Sequence, residues 1–257
     1  MAAEFDQAHA QRPVALVTGS ARRIGAAIAR ALHAAGFDLA LHCHRSRAEL
    51  DALAAGLEAT RPGSTLVLQA DLTQFDRLPE LVAHTVGRFG RLDGLVNNAS
   101  AFHPTPLGSV TPGQWDDLFG SNLRAPFFLA QAAAPHLAAT GGAIVNLADI
   151  HGERPLQGYS VYSMSKAALV MMTRALALEL APSVRVNAIA PGAVLWPDAG
   201  DGLGKDEAEK AAMLARTPLQ RLGSPQEIAQ AVVWLLREAT YTTGQVLRVD
   251  GGRMLES

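Results

Sequence analysis

A tyrosine and a lysine lie four residues apart in this sequence, at Tyr162 and Lys166. Residues at i and i+4 share one face of a helix, so the phenol and the ammonium group can line the same pocket. A free tyrosine titrates near ~10, which makes it a weak proton donor at neutral pH, and a nearby cation favours its phenolate form. The spacing therefore predicts a proton-transfer pair; the alternative is an ordinary amphipathic helix carrying this pair by chance. Asn122, early in an upstream helical stretch, is a candidate for placing a water or a carbonyl that relays protons to Lys166.

A carboxylate precedes this pair, because Asp149 lies 13 residues before Tyr162. A carboxylate is a poor partner for a carbonyl oxygen that gains negative charge, and a good partner for N–H groups or for a tyrosine that donates a proton. Asp149 therefore favours a substrate with a ring nitrogen to be protonated over an alcohol or a ketone. The alternative is that Asp149 only caps a helix or a loop.

A glycine-bearing segment, Thr18–Gly25, joins the first predicted strand to the first predicted helix. Free backbone N–H groups at the start of a helix suit a phosphate, and Gly19 and Gly25 permit a tight turn and close packing. Arg23, followed by Ile24, replaces the usual middle glycine of a dinucleotide-binding fingerprint. The alternative for this segment is a tight turn that merely needs glycine.

The second predicted strand ends without an acidic residue, in His44, Arg45 and Ser46. An acid at this place accepts hydrogen bonds from the ribose hydroxyls of NAD. Arg45 and Ser46, with Arg23 nearby, instead suit the 2′-phosphate of NADPH; the alternative is a solvated basic loop. His42 and His44 lack a third ligand at a suitable spacing, so we predict no metal site.

Two further segments follow strands. Asp71 and Leu72 follow the third strand, where a carboxylate can hold an adenine amino group. The segment that includes Asn97, Ala99 and Ser100 follows the fourth strand, where small residues allow close approach to the ribose and nicotinamide. Either segment alone fits a simple loop, but the ends of successive parallel strands converge on one crevice.

These residues require an α/β framework in which strands and helices alternate. Such a pattern predicts a single-domain, doubly wound sheet of about seven parallel strands with helices on both faces. The predicted strands are Val14–Thr18, Asp38–His42, Thr65–Gln69, Gly94–Asn97, Ala143–Leu147, Val184–Ile189 and Gln245–Val249. The predicted helices are Ile24–Ala35, Ala48–Ala59, Leu78–Phe89, Trp115–Leu137, Tyr162–Leu180 and Pro225–Leu236. We expect a flexible tail over 1–12, one domain over 13–257, and a substrate loop over about 191–215 with a mobile part at 197–205.

The composition excludes several other classes. The 257 residues are 49% hydrophobic and 18% charged, with a net charge of −2 and a single cysteine, Cys43. A large core is therefore available, nucleic acid is not expected as a partner, and no internal disulfide can form. No signal or membrane segment is recognised, which predicts a cytoplasmic protein.

The order and spacing of these motifs, over almost the whole chain, resemble the short-chain dehydrogenase/reductase family. The matching residues are Thr18, Gly19, Gly25, Asn97, Asn98, Ala99, Asn122, Tyr162, Lys166, Pro191 and Gly192. The resemblance implies a single Rossmann domain, a nicotinamide cofactor held partly by Pro191, Gly192, Tyr162 and Lys166, and hydride transfer with the tyrosine handling the proton. It also implies a homotetramer, for which the broad apolar arcs of 115–137 and 162–180 would supply helix–helix contacts.

Asp149 stands where most members of that family have a serine. This departure resembles the pteridine reductase branch, as do Thr18–Gly25, His44–Ser46, Asn97–Leu107 and Pro155–Tyr159. The resemblance implies that Phe102 stacks on a pterin, with Ser100 and Arg23 near its polar edge. We also expect the loop Pro191–Lys205, which includes the candidate substrate-binding residue Leu195, to cover the pterin tail.

The sequence therefore predicts NADPH-dependent reduction of dihydrobiopterin or dihydrofolate to tetrahydro forms, with Asp149, Tyr162 and Lys166 at the reacting centre. Oxidised biopterin and folate are further candidate substrates. Three alternatives stay open: a dihydromonapterin-type reductase, a reductase of 3-oxoacyl thioesters or other carbonyls, and a catalytically idle NADPH-binding regulator.

Overall fold

The computed structural model describes residues 12–195 and 206–255, and within them seven parallel strands form one sheet in the order β3-β2-β1-β4-β5-β6-β7. All seven predicted strands are present, with ends that differ by at most two residues from the prediction. The strands are β1 (Val14–Val17), β2 (Asp38–Cys43), β3 (Thr65–Gln69), β4 (Gly94–Asn97), β5 (Ala143–Leu147), β6 (Arg185–Pro191) and β7 (Val246–Val249).

Helices alternate with these strands. They are α1 (Arg23–Ala34), α2 (Arg47–Thr60), α3 (Leu78–Phe89), α4 (Pro112–Phe119), α5 (Ala125–Thr140), α6 (Ser160–Glu179), α7 (Glu207–Ala215) and α8 (Pro225–Arg237). Within the described residues, the helices cover both faces of the sheet, as predicted. One face packs against α1, α2 and α8, and the other packs against α3, α5 and α6.

The prediction of one continuous helix over Trp115–Leu137 is wrong. A π-turn at Gly120–Arg124 separates α4 from α5. Pro126, in the first turn of α5, has no N–H to donate to the carbonyl of Asn122 four residues earlier. The α-helical hydrogen-bond ladder is therefore interrupted beside Asn122.

The interpretation of 191–215 as a loop is wrong for its last part, where α7 forms. Asp206 and Glu209 make a capping box, in which each side chain accepts a hydrogen bond from the backbone of the other. Only Met213 of this helix is buried, so the apolar periodicity that reveals a helix is weak. The mobile part predicted at 197–205, and residues 1–11 of the predicted tail, lie outside the described residues.

The sheet topology fixes where a ligand can bind. The strand β1 lies between β2 and β4, so the chain winds outward from β1 in opposite directions. In sheets of this kind, ligands bind beyond the carboxyl ends of the strands at this reversal. None of the described helices is both long enough and apolar enough to cross a membrane.

Candidate active site

The segment after β1 is held close to the segment after β4. Gly19 has a φ of +63°, and a Cβ atom there would lie 2.9 Å from the Cα atom of Ala99. A Cβ atom at Gly25 would lie 2.1 Å from the carbonyl oxygen of Gly19. Both glycines are therefore required by the close approach of backbone, as predicted from the motif. Arg23, at the position of the usual middle glycine, has a φ of 53°, in the left-handed region that glycine adopts most easily.

Asn98 locks these two segments together. Its Nδ2 atom donates to the carbonyl oxygens of Thr18 and Gly19, each at 2.9 Å. The cofactor contact predicted from the sequence is Asn97 instead. The Asn97 side chain is buried, its Nδ2 atom donates to Oδ1 of Asn146 at 2.8 Å, and it does not line the cavity beside the loop. Successive side chains of a strand point in opposite directions, which directs Asn97 into the protein interior.

The buried side chain of His42 holds the backbone of the loop after β1. Its Nδ1 atom accepts a hydrogen bond from the N–H of Gly19 at 3.3 Å, and its Nε2 atom lies 3.1 Å from the carbonyl oxygen of Ala70. Burial lowers the pKa of His42 to about 4, so the ring is neutral at physiological pH. Both ring nitrogens of His42 therefore have partners. No group of three metal-binding side chains occurs among the described residues.

A cavity of about 710 Å³ lies beyond the ends of β1, β2, β3 and β4. Most of the predicted cofactor residues line it: Gly19, Arg23, Ile24, Gly25, His44, Arg45, Ser46, Asp71, Leu72, Ala99 and Ser100. Arg22, Thr73 and Asn98 also line it and were not predicted. The positions of Arg22 and Asn98 inside predicted motifs were the signal that could have identified them. Tyr162, Lys166, Pro191 and Gly192 do not line this cavity.

Asp71 is held in place at the rim of this cavity. Its Oδ1 atom accepts hydrogen bonds from the N–H and the hydroxyl of Thr73, at 2.9 and 2.8 Å. Hydrogen bonding by Thr73 lowers the pKa of Asp71, and the nearby His44 and Arg45 lower it further. The Oδ2 atom of Asp71 lies 3.8 Å from Nε2 of His44, so the carboxylate lies on the same rim as the basic residues after β2.

Tyr162, in the first turn of α6, donates its hydroxyl proton to Oδ2 of Asp149 at 2.8 Å. The other oxygen of Asp149 accepts the N–H of His151 at 2.8 Å, so Asp149 also caps the short turn Ile150–Gly152. Asp149 therefore contacts Tyr162 and caps a turn, and its role toward a substrate stays a prediction. Burial, together with the charge of Asp149 and the hydrogen bond to it, raises the pKa of Tyr162 well above its usual value. The prediction that Lys166 lowers the pKa of Tyr162 is wrong for this arrangement. Burial disfavours the phenolate, and a carboxylate that accepts a hydrogen bond from the hydroxyl favours the neutral phenol.

Lys166 lies one helical turn after Tyr162 and is fully buried. Its Nζ atom donates to the carbonyl oxygen of Leu147 at 2.8 Å and lies 5.8 Å from the centre of the Tyr162 ring. Burial lowers the pKa of Lys166 to about 8, against the opposing effect of Asp149. The pair thus shares one helix face, as predicted, with the ammonium group anchored at the end of β5.

Asn122, in the π-turn, connects α6 to the segment after β4. Its Nδ2 atom donates to Oγ of Ser165 and to the carbonyl oxygen of Ala101, both at 3.0 Å. Its Oδ1 atom accepts from the N–H of Ala101 at 2.8 Å and from the hydroxyl of Ser100 at 3.0 Å. The Asn122 side chain therefore holds α6 and the segment after β4 together. The proton relay to Lys166 that the sequence predicts would depend on the backbone carbonyl of Asn122 or on a water.

Phe102 forms an aromatic wall beside Tyr162. The two rings meet edge to face with centroids 4.7 Å apart, and Phe102 stacks on Tyr159 at the same distance. Phe102 nevertheless keeps 41% of its surface exposed. The Phe102 ring is therefore partly open to solvent beside Tyr162, and its stacking on a substrate ring stays a prediction.

The segment after β6 begins at the carboxyl edge of the sheet, beside the end of β5. A Cβ atom at Gly192 would lie 2.7 Å from the Cα atom of Asp250, so Gly192 permits close packing of this segment on the segment after β7. Pro191 ends β6, and Leu195, with 39% exposure, is the last residue described before the gap at 196–205. The role of Leu195 at the substrate stays a prediction.

Comparison with known proteins gives the same family as the motifs. A family model described as enoyl-(acyl carrier protein) reductase matches residues 19–253. Pteridine reductase 1 of Leishmania tarentolae is 40% identical, over 95% of this chain and 96% of the relative. A ketoacyl reductase of the granaticin polyketide synthase of Streptomyces violaceoruber is 39% identical, over 95% and 97%. The 3-oxoacyl acyl-carrier-protein reductase of Staphylococcus aureus is 35% identical, over 93% and 96%.

Matches of this extent, together with the sheet topology and the Tyr162–Lys166 helix face, establish the family. The chain belongs to the short-chain dehydrogenase/reductase family and is an NAD(P)-dependent reductase.

Proposed function

We propose that this enzyme reduces dihydropterins or dihydrofolate to their tetrahydro forms, with NADPH as the hydride donor. The observation that supports this proposal most strongly is the 2.8 Å hydrogen bond between Tyr162 and Asp149. One relative of similar length is a pteridine reductase, whereas others are ketoacyl reductases, so similarity alone does not identify the substrate.

The proposal rests first on which atom can receive a proton. Reduction of a C=N bond adds a hydride to carbon and a proton to nitrogen. Tyr162 donates its proton to the ring nitrogen, and the phenol oxygen regains a proton that is taken from water and passed on through Asp149, which lies at hydrogen-bond distance. No phenolate has to persist beside a second negative charge, which a buried site disfavours. In ketone reduction, by contrast, negative charge would develop on the substrate oxygen beside the Asp149 carboxylate, which would repel it.

Lys166 and Phe102 position the reacting groups. The ammonium group of Lys166, anchored on Leu147, supplies a positive charge within 5.8 Å of the Tyr162 ring, which offsets charge at the phenol oxygen during transfer. The exposed face of Phe102 gives a flat heteroaromatic ring a surface to stack on next to Tyr162. Correct placement of the reacting atoms supplies much of the rate enhancement in reactions of this kind.

The cavity beyond β1–β4 fits a nicotinamide dinucleotide with a 2′-phosphate. Gly19 and Gly25 let backbone approach a pyrophosphate closely, and Arg45 and Ser46 stand on the rim where an NAD enzyme commonly has an acid. When bound, this cofactor supplies the hydride. His44 and Arg23 add basic groups on the same rim, which favours NADPH over NADH.

We also propose that the enzyme is a homotetramer. Trp115, Phe127 and Met171 are 42%, 40% and 62% exposed around one apolar groove between α4, α5 and α6. A symmetric contact between copies of these helices would bury that surface. Light scattering should give four times the chain mass of 27.1 kDa, and a monomer at micromolar concentration would contradict it.

Oxidation of NADPH on a substrate panel tests the proposed reaction. The panel contains dihydrobiopterin, dihydrofolate, dihydromonapterin, biopterin and an acetoacetyl thioester, and tetrahydropterin is identified as the product by chromatography. We expect turnover of the dihydropterins. Robust reduction of the thioester with no pterin turnover would overturn the proposal, and NADPH binding without turnover of any compound would favour a regulator.

A further inference from the structure

Residues 147–152 run from the end of β5 into the turn that Asp149 caps, and we call them the β5 turn. Two hydrogen bonds join it to the part of α6 that carries the reacting side chains. The carbonyl oxygen of Leu147 accepts a hydrogen bond from Nζ of Lys166 at 2.8 Å. The Oδ2 atom of Asp149 accepts one from the hydroxyl of Tyr162, also at 2.8 Å. A third contact lies at the other end of the β5 turn and is made by backbone.

This third contact is the close approach of Gly152 to the backbone of α6. A Cβ atom at Gly152 would lie 2.9 Å from the carbonyl carbon of Lys166 and 3.0 Å from its carbonyl oxygen, and 3.0 Å from the backbone nitrogen of Ala167. Backbone atoms inside a helix cannot turn aside as the end of a flexible side chain can. The φ of Gly152 does not lie in the left-handed region, so this position requires glycine for its size and not for its conformation.

Apolar packing holds the middle of the β5 turn on the same helix. The two neighbours of Asp149, Ala148 and Ile150, pack in one buried cluster with Val170. Val170 lies four residues after Lys166, which is about one turn further along the same face of α6. The β5 turn therefore lies against α6 on both sides of Asp149.

Hydrogen bonds connect Gly152 to Asp149 within the β5 turn. The N–H of Gly152 donates to the carbonyl oxygen of Asp149 at 3.0 Å, and the N–H of His151 donates to its Oδ1 atom at 2.8 Å. A displacement of Gly152 away from α6 is therefore passed on to Asp149. Because Tyr162 belongs to α6 and Asp149 to the β5 turn, the separation of turn and helix sets the length of the hydrogen bond between them.

We infer that Gly152 is a positioning residue, which lets the β5 turn lie close enough to α6 for Asp149 to hold the hydroxyl of Tyr162. This inference rests on the proposed function, since that function assigns Asp149 and Tyr162 to proton transfer. A displacement of about 1 Å in an active site can lower the rate about a hundredfold. The cavity beyond β1–β4 is not lined by the β5 turn, so cofactor binding should not depend on Gly152.

Gly152→Ala adds the one atom that this contact excludes, and Gly142→Ala is its matched control. A Cβ atom at Gly142 would lie 2.5 Å from the carbonyl oxygen of Asp93, which is also a backbone clash. Gly142 precedes β5 at the amino edge of the sheet, whereas the β5 turn follows that strand at the carboxyl edge. Each variant is assayed below its own unfolding temperature.

We expect Gly152→Ala to lower kcat with dihydrobiopterin by about 10–100-fold. The Kd of NADPH, from fluorescence titration, should stay within about twofold of that of the unaltered enzyme, because the cofactor cavity lies elsewhere. Gly142→Ala should lower the unfolding temperature and leave kcat of the folded protein unchanged. An unchanged kcat in folded Gly152→Ala would overturn the inference and leave the proposed function standing.

A double-mutant cycle with Asp149→Asn distinguishes positioning from a general loss of structure. A residue that acts through Asp149 has little left to affect once that carboxylate is gone, so Gly152→Ala should then lower kcat by less than about threefold. Losses from the two substitutions that multiply would contradict the inference.

Ile150→Val keeps the inference testable where Gly152→Ala does not fold. It removes one carbon atom from the packing of the β5 turn on α6, a change that folded proteins usually tolerate. We expect kcat to fall about threefold, and not to fall further in the Asp149→Asn background. An unchanged kcat, or losses that multiply, would overturn the inference in the same way.

The substrate separates this inference from the proposed function. Turnover of an acetoacetyl thioester without turnover of dihydrobiopterin would overturn the proposed function, and the same cycles measured with the thioester would then decide the role of Gly152. Turnover of neither compound would overturn both.

Discussion

The phenol of Tyr162 and the carboxylate of Asp149 are joined by a 2.8 Å hydrogen bond, and the second oxygen of that carboxylate holds the N–H of His151 at the same distance. One side chain thus fixes a backbone turn and contacts the candidate proton donor. The two tasks can be separated by substitution, because they use different oxygen atoms.

Asp149→Asn keeps an oxygen acceptor for His151 and removes the ionisable group. We expect kcat with dihydrobiopterin to fall by about 10²–10⁴-fold, the usual contribution of a positioned proton donor. The midpoint of thermal unfolding should change little, because the cap is retained. Steady-state kinetics and calorimetry check the two parts, and an unchanged kcat would show that Asp149 acts only as a cap.

The pH dependence of kcat/KM for NADPH should show an alkaline limb near pH 8. Lys166 has a pKa of about 8, so it is charged below that pH and loses its charge above it. Tyr162 does not account for the limb, because its pKa is raised. Deprotonation of Lys166 does not unfold the protein either. Because the pKa of Lys166 is lower in the folded state than in the unfolded state, its titration makes folding more favourable as the pH rises from about 8 to 10.5.

Lys166→Arg provides the control for this profile. Its guanidinium stays charged throughout the range, so the alkaline limb should disappear even if the activity is low. A limb near pH 8 that persists in this variant would assign the titration to another group.

Arg45 and Arg47 offer a matched pair of variants that tests the preference for NADPH over NADH. Both are exposed and two residues apart, but Arg45 lines the cavity, whereas Arg47 pairs with Asp51. Arg45→Ala should weaken NADPH binding about tenfold and leave NADH binding nearly unchanged, because it removes a charge-assisted bond to the 2′-phosphate. Fluorescence titration measures both affinities. Equal losses for NADPH and NADH, or the same effect in Arg47→Ala, would contradict the assignment.

Two glycines on helices should respond to alanine in opposite directions. At Gly25 the new Cβ atom would lie 2.1 Å from a backbone oxygen, so Gly25→Ala should lower both the unfolding temperature and the affinity for NADPH. Gly56, inside α2, has open space around it, and Gly56→Ala should stabilise the fold by about 0.5–1 kcal/mol. Thermal unfolding of both variants checks this, and a tolerated alanine at Gly25 would remove the packing argument for the loop.

The sequence predicts the sheet well because each central strand is a short apolar run between helices. The bounds of β3, β4 and β5 agree with prediction to the residue. The π-turn beside Asn122 and the helix α7 are missed for different reasons. The first depends on the missing N–H of Pro126 within an apolar stretch, and the second is a largely exposed helix that is marked chiefly by its Asp206 cap.

The site is predicted less completely than the fold. Motif spacing brings Tyr162, Lys166 and Asp149 together, but it cannot say which of two adjacent asparagines faces the cavity, and Asn98 rather than Asn97 does so. Nor can it give the sign of the pKa shift of Tyr162. That sign depends on burial and on the direct contact with Asp149, which outweigh the presence of a lysine one turn away.

The ratio of kcat/KM for dihydrobiopterin to that for an acetoacetyl thioester tests the central claim most directly, when it is compared between the unaltered enzyme and Asp149→Ser. Serine is the residue that the resemblance to the family implies at this position. We predict that the unaltered enzyme favours the dihydropterin and that Asp149→Ser shifts the ratio towards the thioester by at least about a hundredfold. An unaltered enzyme that favours the thioester, or a ratio that Asp149→Ser does not change, would contradict the assignment of Asp149 and Tyr162 to protonation of a pterin nitrogen.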